Sequence, residues 1–520
     1  MVKENAKLSM SSLIIEKDGD YMYLLGIDIG TSSCKTALFN PTGGVVAQAS
    51  ESYPVFYPQE GWAEQNPLDW WQAVCKTIKK IIEQSEIIPS EIVGIGVAGQ
   101  SWSAVPLTAD GQVLANTPIW MDSRAATICQ KLKKQIGEKR LFQLCGNPLQ
   151  PTYTLPKILW YKEHLPEIYQ RIDKILQSNS YIVYQLTGCF SQDVSQGYGY
   201  HFFDMQKDSY DQTICMELGI SPEILPDIYA CHDIVGKVTK EAALQTGLPA
   251  GIPVVAGGLD SACGALGSGV IQAGETQEQG GQAGGMGICL NTYQADKRLI
   301  LSKHVVPNKW LLQGGTVGGG GVLNWLEKQI GDAERLTAAD KNTNSFIELS
   351  RLAEKVHPGS NGLIFLPYMA GERSPIWNPK AKGVYYGLDF SKTKGHLIRA
   401  GMEGVAYSLK HNLETAKESG IEVSLLQAMG GAANSEVWTQ IKSDITGKEI
   451  RVVSTDTTTT LGAALLAGVG TRVYTDFEDA IAKTVSFGRT HYPNPEFAEI
   501  YQEGYQKYLA IYEALKGLMN

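Results

Sequence analysis

Alternating apolar and polar positions near the start of the chain predict a meander of strands. The apolar stretch Tyr23 to Ile29 is followed by Gly30-Thr31-Ser32-Ser33 and then by Cys34 to Phe39, which alternates in part. Turn-forming residues at 40–44 separate this second stretch from Val45-Val46-Ala47. We therefore expect three consecutive strands joined by short turns.

A helix and another strand are predicted next. Between Asp69 and Ile88 the apolar residues recur at near-helical spacing, directly after the helix-start pair Asn66-Pro67. Ile92 to Ala98 is again apolar and strand-like. From Thr127 to Gly247, helix-like stretches such as Lys157 to Gln170 alternate with turns marked by Pro and Gly.

Glycines mark the second half of the chain. Gly251 to Asp260 restarts a strand pattern, after which glycine becomes frequent. We place a domain boundary near Gly257, which gives a polar tail over 1–20, an N-terminal domain over 21–257 and a C-terminal domain over 258–520. Glu275 to Leu290 places a Gly-rich turn between two strand candidates, as Leu24 to Leu38 does. Two such hairpins would suit a ligand held between domains.

Composition and charge narrow the classes of protein. A chain of 520 residues with 43% hydrophobic residues can bury the cores of two or three domains. Its 54 acidic residues outnumber its 45 basic ones, and it has no basic block that could bind a phosphate backbone. Nucleic acid is therefore not expected as a partner.

Cysteine usage and hydropathy indicate the compartment. The nine cysteines are scattered, odd in number and never spaced C-x-x-C, so we expect reduced thiols. The tail Met1 to Asp20 lacks the apolar segment of a signal peptide. Apolar segments such as Leu461 to Gly470 are far shorter than the roughly 18 residues of a membrane span. We expect a cytoplasmic protein with no membrane partner.

Familiar nucleotide-binding motifs do not describe this chain. Gly94-Ile-Gly96-Val-Ala-Gly99 matches G-x-G-x-x-G, but its glycines lie inside an apolar run that does not open a helix. A Walker A motif is absent, because the two Gly-Lys pairs are followed by Val and Glu.

The segment Gly26 to Ser33 ends a strand with the carboxylate of Asp28 and continues into a Gly-Thr-Ser turn. The amides and hydroxyls of such a turn can bind phosphate oxygens, while the carboxylate faces a metal ion. The alternative is an ordinary hairpin.

Asp260 lies between the apolar run Val254 to Gly258 and the small residues Ser261 to Ala265. A carboxylate at the end of a buried strand can act in catalysis, and it can equally be the N-cap of the helix that follows.

Gly430-Gly431 follows the strand-like Leu425 to Met429 and precedes the helix-like Ser435 to Thr446. A glycine pair lets a flat ring approach the backbone, and the helix start favours an anion. A tight strand-to-helix loop is the alternative.

Six motifs together resemble the FGGY carbohydrate kinases, most closely their xylulokinase branch. They are Gly26-Ile-Asp28-Ile-Gly30-Thr31-Ser32, Gly61-Trp62-Ala63-Glu64-Gln65-Asn66-Pro67, Pro156-Lys157-Ile158-Leu159-Trp160, Val254 to Asp260, Gly371-Glu372-Arg373-Ser374-Pro375 and Gly430 to Asn434. Each motif is weak alone, but six in this order are hard to obtain by chance. The resemblance runs from about Leu24 to about Gly470.

The resemblance implies an α/β fold with two domains, of the actin-like, ribonuclease-H-like kind, that binds sugar and ATP in the cleft between them. It implies that Asp260 is the base facing the sugar hydroxyl, and that Asp28, with Asp260 beside it, holds Mg²⁺. The implied ATP-binding residues are Thr31, Ser32, Gly281, Gln282, Gly320, Asn324, Gly430, Gly431 and Asn434. The implied sugar-binding residues, besides Asp260, are Gln100, Ser101, Trp102, Asp122 and Arg124. A homodimer is expected on the same ground.

The sequence departs from the family pattern in two places. Ser101-Trp102 stands where xylulokinases carry Met-His after the glutamine, and this bears on the choice of sugar. Gly281-Gln282-Ala283-Gly284 stands where the second phosphate loop usually reads Gly-Thr-Ser-Gly, so a hydroxyl near the γ-phosphate is replaced by backbone amides or by Gln282.

The predicted function is ATP-dependent phosphorylation of a small sugar, a ketopentose such as D-xylulose, with Asp260 accepting the proton of the attacking hydroxyl. One alternative is an FGGY kinase for ribulose, gluconate or glycerol. Another is a sensor that binds ATP and sugar without turnover, which the Gln282-Ala283 departure motivates. An actin-like filament or chaperone ATPase ranks last.

Overall fold

Two mixed β-sheets form the framework of the molecule. The computed structural model of the protein describes residues 22–519, so the predicted tail over 1–20 lies outside the described residues. The strands are β1 Tyr23–Ile29, β2 Ser33–Phe39, β3 Val45–Ser52, β4 Glu64–Gln65, β5 Ile92–Gly99, β6 Val105–Leu107, β7 Thr117–Pro118, β8 Lys174–Leu176, β9 Ser191–Asp193, β10 Phe203–Asp204, β11 Ser209–Tyr210, β12 Asp227–Tyr229, β13 Ile234–Lys237, β14 Pro253–Val255, β15 Gly258–Leu259, β16 Glu275–Gly280, β17 Gly284–Leu290, β18 Ile300–Lys303, β19 Trp310–Thr316, β20 Ile364–Leu366, β21 Val384–Tyr386, β22 Leu425–Met429, β23 Ile450–Val453 and β24 Phe487–His491.

Helices cover and connect these sheets. They are α1 Pro67–Ser85, α2 Ala126–Leu132, α3 Glu138–Cys145, α4 Thr154–His164, α5 Pro166–Tyr169, α6 Ser178–Thr187, α7 Gln212–Glu217, α8 Lys240–Thr246, α9 Asp260–Gly267, α10 Gly320–Ile330, α11 Asp332–Asp340, α12 Ser345–Glu354, α13 Lys394–Glu418, α14 Glu436–Thr446, α15 Thr458–Gly470, α16 Phe477–Thr484 and α17 Ala498–Leu515.

The first sheet contains the predicted meander. Its strand order is β13-β14-β5-β1-β2-β3, with β15 paired to the end of β5. β1, β2 and β3 are antiparallel neighbours, whereas β5 and β14 run parallel to β1. The predicted three-strand meander is therefore confirmed.

The second sheet repeats this plan. Its order is β18-β19-β17-β16-β22-β23-β24, and β16, β17 and β19 form an antiparallel meander to which β22 and β23 add as parallel strands. The predicted echo between the two halves is confirmed. The predicted domain boundary at Gly257 stays a prediction; β15, just beyond it, pairs with β5 of the first sheet.

Helix α1 forms where the apolar spacing predicts it. Asn66 caps its start by accepting a hydrogen bond from the Leu68 amide at 3.1 Å, and Pro67 occupies the first turn, where no amide is needed. Trp70, Val74, Ile78 and Ile81 repeat at helical spacing and are fully buried against the first sheet.

Two helices, α9 and α15, pack against each other next to the first sheet, and glycines allow their close approach. Gly26 and Gly96 are register partners on β1 and β5, and a Cβ on either would lie 1.9 or 1.8 Å from a carbonyl oxygen of α15. A Cβ on Gly462 would lie 1.8 Å from the carbonyl oxygen of Cys263 on α9. These three positions accept no side chain without displacing α15. Gly96, part of the rejected G-x-G-x-x-G match, thus serves sheet–helix packing.

The helix-like stretch from Lys157 to Gln170 is two helices. α4 ends at His164, and Pro166 begins the short α5, because a proline ring cannot follow within a continuing helix. Within residues 22–519, no helix combines the length and the apolar character needed to cross a bilayer.

Candidate active site

A cavity of about 730 Å³ opens between the two sheets. Strands β1 to β3, the start of α9, the β16–β17 hairpin, the loop after β22 and the start of α15 all contribute to its wall. The predicted site residues that line it are Asp28, Asp260, Gly281, Gly430, Gly431 and Asn434. The other predicted site residues lie outside this lining.

Asp28 lies near the end of β1, directly opposite Lys35 on β2. Burial and the charge of Asp260 raise the pKa of Asp28 to about 7, and Lys35 opposes this shift. Its Oδ1 atom is buried and has no hydrogen-bond partner among the described residues. A carboxylate in this position requires a cation to become fully ionised at neutral pH.

Asp260 is the first residue of α9 and follows β15 directly. Its Oδ1 atom accepts a hydrogen bond from the Ser261 amide at 2.6 Å, and burial raises its pKa to about 6. The structural N-cap position is Leu259, so Asp260 is not the cap of this helix. Ser261 donates to Gln313 of β19 at 2.8 Å, which ties this carboxylate to the second sheet.

A buried polar chain holds the backbone just before Asp260. The Leu259 amide donates to the hydroxyl of Ser195 at 2.8 Å, and that hydroxyl donates to Asp193. Asn179 donates to the other oxygen of Asp193 at 2.9 Å. Sequence spacing gave no signal for these hydrogen bonds, because Asn179, Asp193 and Ser195 lie between 65 and 81 residues before Asp260.

Thr31 and Ser32 form the turn of the first hairpin, between β1 and β2. The hydroxyl of Thr31 accepts a hydrogen bond from the Trp120 indole at 2.9 Å, and its carbonyl accepts one from Gln65 at 2.7 Å. Ser32 is exposed at the tip of the turn. Thr31 is thus held from two sides, and Ser32 is open to solvent.

Gly281 and Gln282 form the turn of the second hairpin and contact the start of α10. The Gly320 amide donates to the Gly281 carbonyl at 2.7 Å, and the Gly321 amide donates to the Gln282 carbonyl at 2.9 Å. The Gln282 side chain accepts a hydrogen bond from Asn324 at 3.3 Å. Gly281 and Gln282 of the turn and Gly320 and Asn324 of α10, all four predicted from the sequence, therefore form one cluster.

Gly430 lies beside this hairpin. It adopts φ 83°, and an added Cβ would lie 3.0 Å from the Gly280 carbonyl oxygen. Gly431 begins a short 3₁₀ turn that ends at Asn434, and no heavy atom lies within 4 Å of an added Cβ at Gly431. The glycine pair leaves an open backbone surface facing the cavity.

Gln100, Ser101 and Trp102 follow β5. The Gln100 side chain is 1% exposed and donates to Gln65 at 2.8 Å. The Ser101 hydroxyl accepts a hydrogen bond from Tyr198 at 3.4 Å, and Trp102 packs with Tyr153 at 4.3 Å between ring centroids. Burial and, to a lesser degree, the charge of Asp260 raise the pKa of Tyr198, so this wall approaches Asp260.

Asp122 and Arg124 belong to a buried ion-pair network. Arg124 donates to Asp122 at 2.9 Å and to Glu64 at 2.8 Å, and its guanidinium lies 3.8 Å from the Trp62 ring centroid. Asp122 also accepts a hydrogen bond from the Ala63 amide at 2.7 Å. Both side chains are thus satisfied by protein groups, and the part of each that could face a sugar is small.

Sequence reasoning missed several residues of the cavity wall. Those are Lys35, Thr36, Ala37, Gln48, Ala49, Ser50, Ser261, Gln277, Gln279, Met429, Asp456, Thr457, Thr458, Thr459 and Thr460. Lys35 could have been found from the hairpin register, because the predicted turn sets it opposite Asp28. The run of four threonines at the start of the apolar helix α15, Thr457 to Thr460, was a second available signal.

A two-sheet α/β fold with paired carboxylates facing a cleft between the sheets is compatible with a phosphotransferase that acts on small molecules. The chain belongs to the FGGY family of carbohydrate kinases. Residues 23–267 match the model of the family's N-terminal domain, and residues 286–471 match that of its C-terminal domain. The family resemblance of the six motifs is confirmed.

Relatives and solved structures agree with this membership. The chain is 30% identical over 502 residues to the xylulose kinase of Bacillus subtilis, which covers 95% of this chain and 98% of that protein. It is 32% identical over 483 residues to the gluconokinase of Bacillus subtilis, covering 92% of this chain and 93% of the relative. The structure of xylulose kinase from Rhodospirillum rubrum superposes with a TM-score of 0.86 at 29% identity, over 96% and 99% of the two chains. The predicted fold class and the carbohydrate kinase activity are thereby confirmed.

Proposed function

We propose that this protein transfers the γ-phosphoryl group of ATP to a hydroxyl of a ketopentose such as D-xylulose. The observation that carries the proposal is the pair Asp28 and Asp260, which line one cavity and whose pKa values are raised to about 7 and about 6. Such a pair suits a site that gains a cation and binds a reacting hydroxyl.

Mg²⁺ fits the carboxylate pair. No cluster of three or more His, Cys, Asp or Glu side chains suited to a metal occurs in residues 22–519. Mg²⁺ bound with a nucleotide needs only one or two carboxylates, because water and phosphate oxygens supply its other ligands. Asp28, with its unpartnered Oδ1, and Asp260 would hold the ion, which neutralises phosphate charge when bound.

Asp260 is our proposed catalytic base. Its pKa near 6 leaves it ionised at neutral pH while keeping it basic enough to accept the proton of a sugar hydroxyl. The Ser261 amide orients its carboxylate, and the Ser195–Leu259 hydrogen bond fixes the backbone just before it. Phosphoryl transfer depends mainly on positioning, so this rigidity favours the role.

ATP would lie along the second half of the cleft. We assign the phosphates to the amides of the hairpin turns at Thr31-Ser32 and Gly281-Gln282 and to the start of α10 at Gly320. We assign the adenosine to the open backbone of Gly430 and Gly431 with Asn434, because a flat ring can approach glycine closely.

Two classes of sugar are candidates for the phosphoryl acceptor. Similarity to xylulose kinases supports a ketopentose, and Gln100, Ser101 and Trp102 are our proposed sugar wall. Similarity to gluconokinases, together with Ser101-Trp102 in place of Met-His, supports an aldonate such as gluconate as the second candidate.

The test measures ADP release with ATP and Mg²⁺ across D-xylulose, D-ribulose, gluconate and glycerol. The variant Asp260→Asn keeps the shape of the side chain and should lower kcat by at least about a thousandfold. Asp332→Asn, at an aspartate with 84% side-chain exposure outside the cleft, is the control and should leave turnover unchanged.

The outcomes separate the candidates. Turnover on D-xylulose that Asp260→Asn abolishes supports the proposal, whereas turnover on gluconate alone supports the second candidate. Binding of ATP or sugar by calorimetry without turnover on any compound would instead favour the sensor. We further infer a cytoplasmic homodimer from the family resemblance, and light scattering at several protein concentrations tests the oligomeric state.

A further inference from the structure

Arg373 lies near Trp120 and Gly315 and forms no ion pair within the described residues. Its guanidinium makes one long hydrogen bond, to the Thr316 carbonyl at 3.5 Å, and no ion pair within 4 Å among the described residues. The side chain of its neighbour Glu372 accepts hydrogen bonds from the Val317 and Arg373 amides instead. Arg373 therefore forms no ion pair, and the charge of Glu372 only partly offsets the effect of burial on its pKa.

Other internal arginines are satisfied, which makes this one unusual. Arg124 pairs with Asp122 and Glu64, and Arg399 pairs with Glu403 at 2.8 Å. Burying a guanidinium without such a partner is unfavourable, and burial lowers the pKa of Arg373 accordingly. A partly buried guanidinium that forms no ion pair points to an anion from outside the protein.

The loop that carries Arg373 is fixed on β19. Ser374 accepts a hydrogen bond from the Gly315 amide at 2.7 Å and donates to the Gly315 carbonyl at 3.1 Å. The guanidinium carbon lies 3.0 Å from where a Cβ of Gly315 would be, so this glycine provides the room for the side chain. The contacts with Gly315 of β19 therefore fix the position of Arg373.

Two contacts, with β19 and with Trp120, place Arg373 relative to the proposed site. Gly315 and Thr316 pair with Gly285 and Gly284, the end of the second hairpin turn. The guanidinium lies 5.5 Å from the centroid of Trp120, whose indole donates to the Thr31 hydroxyl in the first hairpin turn.

The face of β19 that Arg373 contacts also extends toward the proposed base. Gln313 lies on the same face of β19 as Gly315, two residues away, and accepts a hydrogen bond from Ser261, the residue after Asp260. Arg373 thus lies among the first turn, the second turn and the base.

We propose that Arg373 is a catalytic residue that binds the γ-phosphoryl group during transfer, an inference that rests on the proposed function. In the step, the sugar oxygen forms a bond to Pγ, while the bond between Pγ and the β–γ bridging oxygen breaks. The hydroxyl proton goes to Asp260, and the electron pair of the broken bond leaves with ADP. The planar guanidinium donates two N–H groups to the γ oxygens that carry the charge.

The first experiment compares Arg373→Gln and Arg373→Lys with wild type. We expect Arg373→Gln to lower kcat by about a thousandfold and to change either KM by less than about threefold, because the contact strengthens only during transfer. Arg373→Lys keeps the positive charge but lacks the planar pair of N–H donors, so its kcat should lie between those of Arg373→Gln and wild type. Guanidinium added to Arg373→Ala should raise its kcat at least about tenfold.

Matched controls separate catalysis from structure. Arg451→Ala removes an arginine whose side chain is 40% exposed and should leave kcat unchanged. Arg399→Ala breaks a buried ion pair and should lower the melting temperature, with no recovery of activity in guanidinium. A tenfold rise in sugar KM at full kcat for Arg373→Gln, or no rescue by guanidinium, would overturn the proposal.

A binding measurement tests the role of Arg373 independently of catalytic turnover. Aluminium fluoride mimics the transferring phosphoryl group. By calorimetry, ADP should bind at least about tenfold more tightly with Mg²⁺ and aluminium fluoride than with Mg²⁺ alone. This gain should vanish in Arg373→Gln while the affinity for ADP alone persists. If wild type phosphorylates no sugar but shows the gain, the substrate assignment fails and the role of Arg373 stands. An equal gain in both proteins, or none in wild type, would refute the role.

Discussion

Asp28 and Lys35 are register partners across the first hairpin, and both side chains line the interdomain cavity. The lysine lowers the pKa of Asp28, yet burial and Asp260 outweigh it and raise that pKa to about 7. The cavity is therefore lined by three carboxylates, those of Asp28, Asp260 and Asp456, and by one ammonium, that of Lys35, which favours the binding of a cation. This imbalance motivates the first two predictions.

The pH dependence of kcat/KM for the sugar should show an acid limb with an apparent pKa near 6, because Asp260 must be ionised to accept a proton. Activity should rise as the pH increases from 5 to 7. Initial rates at low sugar concentration and saturating ATP measure this limb. A flat profile over that range would argue against Asp260 as the base.

Asp28→Asn should stabilise the metal-free protein at high pH. The pKa of Asp28 is raised on folding, so its contribution to stability is present below about pH 4 and is lost as the pH rises through about 7. Relative to the variant, wild type should lose roughly 2 kcal/mol of unfolding free energy between pH 5 and pH 8. Urea denaturation in EDTA at both pH values tests this, with Asp332→Asn as a control that should show no such difference.

Gly96→Ala should destabilise the fold by roughly 3 kcal/mol, because the new Cβ would lie 1.8 Å from the Ala463 carbonyl oxygen and α15 must shift. Gly488→Ala is the matched control. It also lies in a strand, but its nearest atom to an added Cβ is 3.7 Å away. Thermal unfolding should separate the two variants, and equal melting temperatures would contradict the packing argument.

Ser195→Ala should lower kcat about tenfold with little change in the KM for ATP, because the Leu259 amide loses its acceptor and Asp260 loses its fixed position. Ser191→Ala provides the comparison: Ser191 is also buried, and its hydroxyl has no hydrogen-bond partner in the described structure. Steady-state kinetics of both variants test the role. Similar losses would indicate a general effect of removing buried hydroxyls.

Gln282→Ala should raise the KM for ATP about threefold and leave kcat nearly unchanged. The variant removes the acceptor of the Asn324 hydrogen bond and loosens the second hairpin turn against α10. The backbone bonds from Gly320 and Gly321 remain, so the turn should persist. A large fall in kcat would mean that Gln282 acts directly on the transferring group.

Local patterns were sufficient for many elements. Short apolar runs between turn residues were sufficient for β1 to β3 and β5, and the helical spacing of apolar residues was sufficient for α1. The segment over 127–247 was not resolved from sequence, because its helices and short strands are fixed by packing against distant residues. The division of the stretch Lys157 to Gln170 into two helices is different, because it follows locally from Pro166.

The sequence by itself determined the family, the two hairpins and the two aspartates, because each of these is carried by a short run of neighbouring residues. Tertiary structure alone decided which groups meet. It set Asp193 and Ser195 behind Leu259, paired Arg124 with Asp122 and Glu64, and left Arg373 between the two hairpin turns without an anion. Such contacts join residues far apart in the chain, and burial and unpaired charge exist only once the chain has folded.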